Sequence, residues 1–145
     1  MLRSSWTPGQ AHDHTGPVLI SVTDFELDRI TDLPGVYREA RRLAADWPEL
    51  PGALGMWLWT IPTARRCGAV AVWNDTAALH HFIAWPPHVA IMRAYKGRGT
   101  LTSTTWQADA FDLRETWACA QTELRTGPMR RRSQRHGPTE AGPES

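Results

Sequence analysis

The sequence predicts an α+β domain with the element order β-α-β-β-α-β. Three observations carry that prediction. Apolar runs with a two-residue period occur at Val18–Phe25, Ala53–Ile61, Cys67–Trp73 and Thr100–Ala108, the spacing of half-buried strands. Between the first and second of these, and between the third and fourth, the apolar spacing changes to three and four residues, the period of a helix. Proline and glycine clusters mark the joins.

Residues 1–16 contain Pro8, Gly9 and Gly16 without periodicity, and a mobile arm is expected. His12-Asp13-His14 has no third ligand at a suitable spacing, so a solvated loop is the better reading. In Val18–Phe25 (VLISVTDF) one row is Val18, Ile20 and Val22; the other is Leu19, Ser21, Thr23 and Phe25. Asp32 stands at an N-cap position before Leu33-Pro34. The helix over 34–46 places Val36, Ala40, Leu43, Ala44 and Trp47 on one face. Trp47-Pro48 ends it, because the residue before proline is pushed out of the α region.

After the Pro51-Gly52 turn, Leu54, Met56 and Leu58 alternate with Gly55, Trp57, Trp59 and Ile61. Two tryptophans on one sheet face require cover from a helix, a second subunit or a ligand. Residues 62–65 form a hairpin-like connection, and Cys67, Ala69, Ala71 and Trp73 share a face of the third strand. Asn74-Asp75 caps the next helix, with Ala78, Leu79, Phe82 and Ile83 on its apolar side. Trp85-Pro86-Pro87 breaks that helix and restarts it. In the new segment His88, Ile91, Met92 and Tyr95 fall at i, i+3, i+4 and i+7, so His88 is expected on the inner face. Gly97-Arg98-Gly99 stops the helix. In the last strand Thr102, Thr104 and Trp106 share one face, and Leu101, Ser103 and Thr105 the other.

This order is the ferredoxin-like plan, an antiparallel sheet with both helices on one face. The plan assigns residues 17–110 to the domain, 111–126 to a C-terminal helix capped near Asp112, and 127–145 to a disordered tail with a basic cluster at 129–136. It leaves the second sheet face open, and face-to-face pairing of two such sheets would cover it.

Composition narrows the function. A net charge of +1 gives no reason to expect nucleic acid as partner, and no apolar run is long enough to span a bilayer. The first residues lack a signal-peptide apolar region, and the two cysteines, Cys67 and Cys119, make no disulfide framework. A reduced, cytoplasmic setting is expected. There is no glycine-rich phosphate loop, nucleophile elbow or carboxylate pair, and no metal is expected.

Of the eight tryptophans, Trp57, Trp59, Trp73, Trp85 and Trp106 fall in the central elements, as core or as the wall of an aromatic pocket. His88, past a rigid Pro-Pro turn, is the best candidate base near neutral pH; the competing reading is a core histidine bonded to backbone. Arg93, one residue off the His88 face, would hold an anion such as a phenolate, against the plainer reading of a surface ion pair.

The strand ending in Trp73, the Asn74-Asp75 cap, the helix with Leu79 and Phe82, and then Pro-Pro-His88 and a final strand resemble the antibiotic biosynthesis monooxygenase-like group of the dimeric α/β-barrel superfamily. The resemblance covers roughly residues 18–109 and rests on short motifs. It implies a dimeric α/β barrel and a cofactor-independent tailoring enzyme acting on an aromatic or polyketide-like molecule. His88 and Arg93 would be catalytic, and Trp57, Trp59, Trp73, Trp85, Tyr95 and Trp106 would line the substrate pocket. The alternatives are a haem protein with His88 as ligand, an isomerase or cyclase on the same scaffold, and a non-catalytic ligand-binding dimer. Two departures stand out. Haem-degrading members carry their axial His after a longer aromatic helix than Trp85-Pro86-Pro87-His88 provides. Quinone-forming members use an Asn/Trp/Tyr/Arg set, of which Trp73-Asn74, Arg93 and Tyr95 are only reminiscent.

Overall fold

The computed structural model describes residues 1–135. The strands are β1 (Leu2–Arg3), β2 (Thr7–Pro8), β3 (Val18–Leu27), β4 (Ala53–Ile61), β5 (Arg66–Trp73) and β6 (Gly99–Ala108). The helices are α1 (Leu33–Ala45), α2 (Thr76–Ala84), α3 (Pro86–Ala94) and α4 (Leu113–Arg135). All strand pairings are antiparallel, in the order β1-β4-β5-β3-β6 with β2 also on β4. From β3 to β6 this is the ferredoxin-like α+β plan, with its second helix split in two.

The two faces of the sheet hold separate cores. On the α1–α3 side, Leu19, Met56, Leu58, Ala71 and Trp73 pack with Trp47, Leu50 and Ala78, while Leu27, Val36 and Cys67 extend the layer. On the other side, Val18, Ile20, Val22, Leu54, Trp57, Trp59, Val70 and Val72 pack against Ala120 and Leu124 of α4. The chain therefore covers its own second face with α4, and Trp57 and Trp59 do not depend on a partner subunit for burial. Leu54 departs from the expected alternation and joins the Trp57 side, because the β4–β5 register shifts between Ala53 and Gly55. Such a bulge adds a residue and reverses the side-chain phase beyond it.

The N-terminal segment differs from the mobile arm expected. Residues Leu2, Arg3, Thr7 and Pro8 pair with β4, and Trp6 packs on the sheet where Gly55 has no side chain to obstruct its ring. Trp6 stacks on Phe111 at 5.2 Å and meets Trp57 edge-on at 4.5 Å. Aromatic burial of this kind outweighs the weak local propensity of a Pro/Gly-containing segment.

Two caps form as expected: Asp75 accepts from the Ala78 N–H at 2.8 Å, and Asp112 Oδ1 accepts from the Glu115 N–H at 2.8 Å. Asp32 holds the N-cap position of α1 but makes no cap bond; its carboxylate pairs instead with Arg98, 3.2 Å away beyond α3. Helix α4 runs past the expected end at 126 and continues through Gly127 and Pro128 to Arg135. The rest of the expected tail, 136–145, lies outside the described residues. No helix among the described residues is long and apolar enough to cross a membrane.

Candidate functional site

The α2–α3 junction sets His88 beside a cluster of aromatic side chains. Trp85 is extended (φ −65, ψ 129) between the two helices, as its position before Pro86 requires. Pro86 then opens α3 and puts His88 in the first turn. The His88 Nδ1 lies 3.1 Å from the carbonyl oxygen of Ile83. A carbonyl only accepts, so Nδ1 carries the hydrogen and, in the neutral ring, Nε2 is the basic nitrogen. The imidazole rests on Phe82, with centroids 4.5 Å apart. Phe82 in turn touches Trp47 (5.0 Å), Trp73 (5.2 Å) and Trp85 (6.2 Å). Burial in this aromatic setting lowers the His88 pKa from 6.5, and the hydrogen bond to Ile83 opposes the shift. The ring is therefore neutral at pH 7 and able to take a proton.

Trp73 is fully buried, and its indole N–H donates to Ser21 Oγ at 3.0 Å. Trp47, assigned from the sequence only to the core, belongs to the same aromatic cluster; its indole nitrogen is buried with no partner among the described residues, as is Asn74 Oδ1. A buried polar atom without a partner is a place where water or a ligand group finds a bond. Nothing in the helical period of 34–47 distinguishes Trp47 from an ordinary core residue.

Arg93 is exposed in the last turn of α3, where a cation is favoured by the helix dipole; its side chain makes no hydrogen bond, ion pair or ring contact among the described residues. Met92 is 40% exposed and Ile83 49% exposed, so the face that His88 was expected to share with Met92 is only partly covered. Tyr95 is half-buried at the end of an open groove of about 390 Å³ between α1 and α3, which Leu43, Pro87 and Ile91 also line. His88 is not among the residues lining that groove.

The remaining expected pocket residues lie across the sheet. Trp57 and Trp59 are 1% and 0% exposed, packed under α4, and Trp106, opposite Ile20 on β6, joins the same layer. The structure thus brings His88, Trp73 and Trp85 together and separates them from Trp57, Trp59 and Trp106. The Trp residues do not wall a single cavity. Strand alternation identified which tryptophans share a face, but not which layer covers it.

The other candidate groups are engaged locally. The rings of His12 and His14 lie 3.1 and 3.0 Å from the carbonyls of Gly9 and Pro17. Burial, with the Asp24 carboxylate second, pushes the Cys67 thiol up to about 11.

No family model matches the chain, and no curated protein matches it in sequence. Solved structures share its fold, antibiotic biosynthesis monooxygenase-like proteins among them. A dimeric ferredoxin-like protein of unknown function from Jannaschia sp. CCS1 aligns with a TM-score of 0.54 at 15% identity, covering 61% of this chain and 97% of that one. SnoaB, a cofactor-independent oxygenase from Streptomyces nogalater, was solved as a variant and aligns with a TM-score of 0.50 at 22% identity; the alignment covers 63% of this chain and 92% of SnoaB. An antibiotic biosynthesis monooxygenase aligns with a TM-score of 0.53 at 17% identity, covering 65% and 99%. These similarities establish the ferredoxin-like fold; activity has to be argued from the site.

Proposed function

We propose that this protein is a cofactor-independent, monooxygenase-like enzyme acting on a flat aromatic or polyketide-like small molecule, as a cytoplasmic homodimer. The observation that carries the reading is His88: its Nδ1–H is tied to the Ile83 carbonyl, and its basic Nε2 is carried by a ring seated on Phe82. A neutral imidazole in such a setting suits proton abstraction from a phenol or an activated C–H. The fold shared with SnoaB and with a monooxygenase supports the reaction type, and the fold shared with the dimeric Jannaschia protein supports the assembly.

In this reading Nε2 takes the proton from an activated CH₂ group, and the ring system delocalises the carbanion. The carbanion transfers its electrons to O₂, the new C–O bond gives a hydroperoxide anion, and the proton returns to it from His88. Loss of water leaves a ketone, so one O₂ yields one carbonyl oxygen and one water. Trp85 stacks on the substrate from the junction, and Arg93 in the last turn of α3 and Tyr95 at its C-cap are the candidate groups for holding the anion. Trp57, Trp59 and Trp106 take a structural role.

The test is oxygen uptake with phenolic polycyclic aromatics that bear an activated CH₂. His88→Ala and His88→Gln should each lose activity by about 10²–10⁴-fold. Unchanged uptake in both variants would overturn the role of His88. Turnover that persists under nitrogen would make the enzyme an isomerase or cyclase. The same free Nε2 would suit an axial metal ligand, so a Soret band on hemin addition that His88→Ala abolishes would instead assign a haem protein.

A further inference from the structure

On the face opposite His88, the indoles of Trp57 and Trp117 lie 5.4 Å apart at 59° and form an angled aromatic slot between β4 and α4. The guanidinium of Arg3, an exposed residue, lies over both rings, with Cζ 4.8 Å from the Trp117 ring centroid and 5.5 Å from that of Trp57. The Arg3 side chain makes no hydrogen bond or ion pair among the described residues, so the ring faces specify where its charge sits. That is the recognition chemistry of an aromatic cage for cations.

The occupant is weakly attached. Strand β1 contributes two residue pairs, Leu2 with Thr60 and Arg3 with Trp59, and Leu2 is 63% exposed. The secure anchors come later. The Ser4 N–H donates to the Leu58 carbonyl at 2.8 Å, the Leu58 N–H donates to Ser4 Oγ at 2.9 Å, and Trp6 is wedged between Trp57 and Phe111. Residues 1–3 can therefore lift as a flap while the segment from Ser4 stays on the sheet, the local opening of a short, weakly paired strand. Lifting uncovers Trp57, which is otherwise sealed.

We propose that the Trp57–Trp117 slot is a binding site for organic cations, and that Arg3 occupies it as an intramolecular ligand which a guanidinium or quaternary ammonium compound displaces. The self-ligand lowers apparent affinity by the fraction of molecules in which the flap is closed.

The experiment titrates the full-length protein with methylguanidinium and with tetramethylammonium, following the indole N–H resonances of Trp57 and Trp117. Arg3→Ala, whose side chain is exposed and outside the core, should bind both probes about tenfold more tightly than the parent, since the competitor is gone. Trp117→Leu in the Arg3→Ala background should abolish the gain, and 3,3-dimethylbutanol, a neutral analogue of similar shape, should not bind. Equal affinity in the parent and Arg3→Ala would overturn the proposal. So would equal binding of the neutral analogue, or shifts confined to other tryptophans.

Discussion

His88 donates through Nδ1 to the carbonyl oxygen of Ile83 at 3.1 Å, and the sequence between them explains why that oxygen is free. In a continuous helix its partner would be the N–H of residue 87, but the chain turns extended at Trp85 and residue 87 is proline. The same arrangement recurs in α4. Pro128 has no N–H to give the Leu124 carbonyl, and Arg66 Nη2 donates to it instead at 2.8 Å. In both places a proline frees a helix carbonyl, and a side chain from outside the normal bonding pattern takes it.

Burial on the aromatic cluster gives His88 a pH signature. Its folded pKa lies below 6.5, chiefly through burial. A neutral ring is therefore favoured by folding. That contribution is complete above the unfolded value near 6.5 and is lost as the pH falls through the folded value. An NMR titration should place the His88 midpoint below 6.5, and the stability of the parent should fall more steeply than that of His88→Gln as the pH drops from about 6.5 to that midpoint, the two profiles running parallel below it.

Arg66 forms a bidentate pair with Asp24, at 3.1 and 2.6 Å, with side chains only 8% and 7% exposed. Replacing Arg66 with Met leaves the Asp24 carboxylate buried without its guanidinium and the Leu124 carbonyl without its donor. The cost should be about 3–5 kcal/mol in urea unfolding. Adding Asp24→Leu should recover most of it, because an apolar pair of similar volume is tolerated where a buried carboxylate deprived of its guanidinium is not.

Gly55 lies beneath Trp6 with no room for a β-carbon. Gly55→Val should expel the indole, lower stability by about 1–3 kcal/mol, and expose the first sixteen residues to limited proteolysis at sites the parent protects.

The two cysteines should behave oppositely. Cys67 is buried with its thiol near 11, whereas Cys119 is exposed on α4. At about pH 8, near the ordinary thiol range, a maleimide should modify one thiol per chain in the native protein and two in denaturant. Rapid native labelling at Cys67 would contradict this packing.

Local chemistry made much of this protein legible before any tertiary contact. The two-residue period of 53–61 paired Trp57 with Trp59, Asp75 and Asp112 announced two helix starts, and Trp85-Pro86-Pro87 located the helix break that presents His88. These features depend on residues a few positions apart, where steric and hydrogen-bonding rules act directly. Tertiary structure decided the rest. The bulge at Ala53–Gly55 moved Leu54 to the other face, Trp6 turned a proline- and glycine-containing arm into edge strands, and Arg66 made a continuous α4 compatible with Pro128. Above all, α4 closed over Trp57 and Trp59, dividing the expected aromatic pocket between two sides of the sheet. Periodicity states which side chains point the same way; which layer buries them is set by long-range packing.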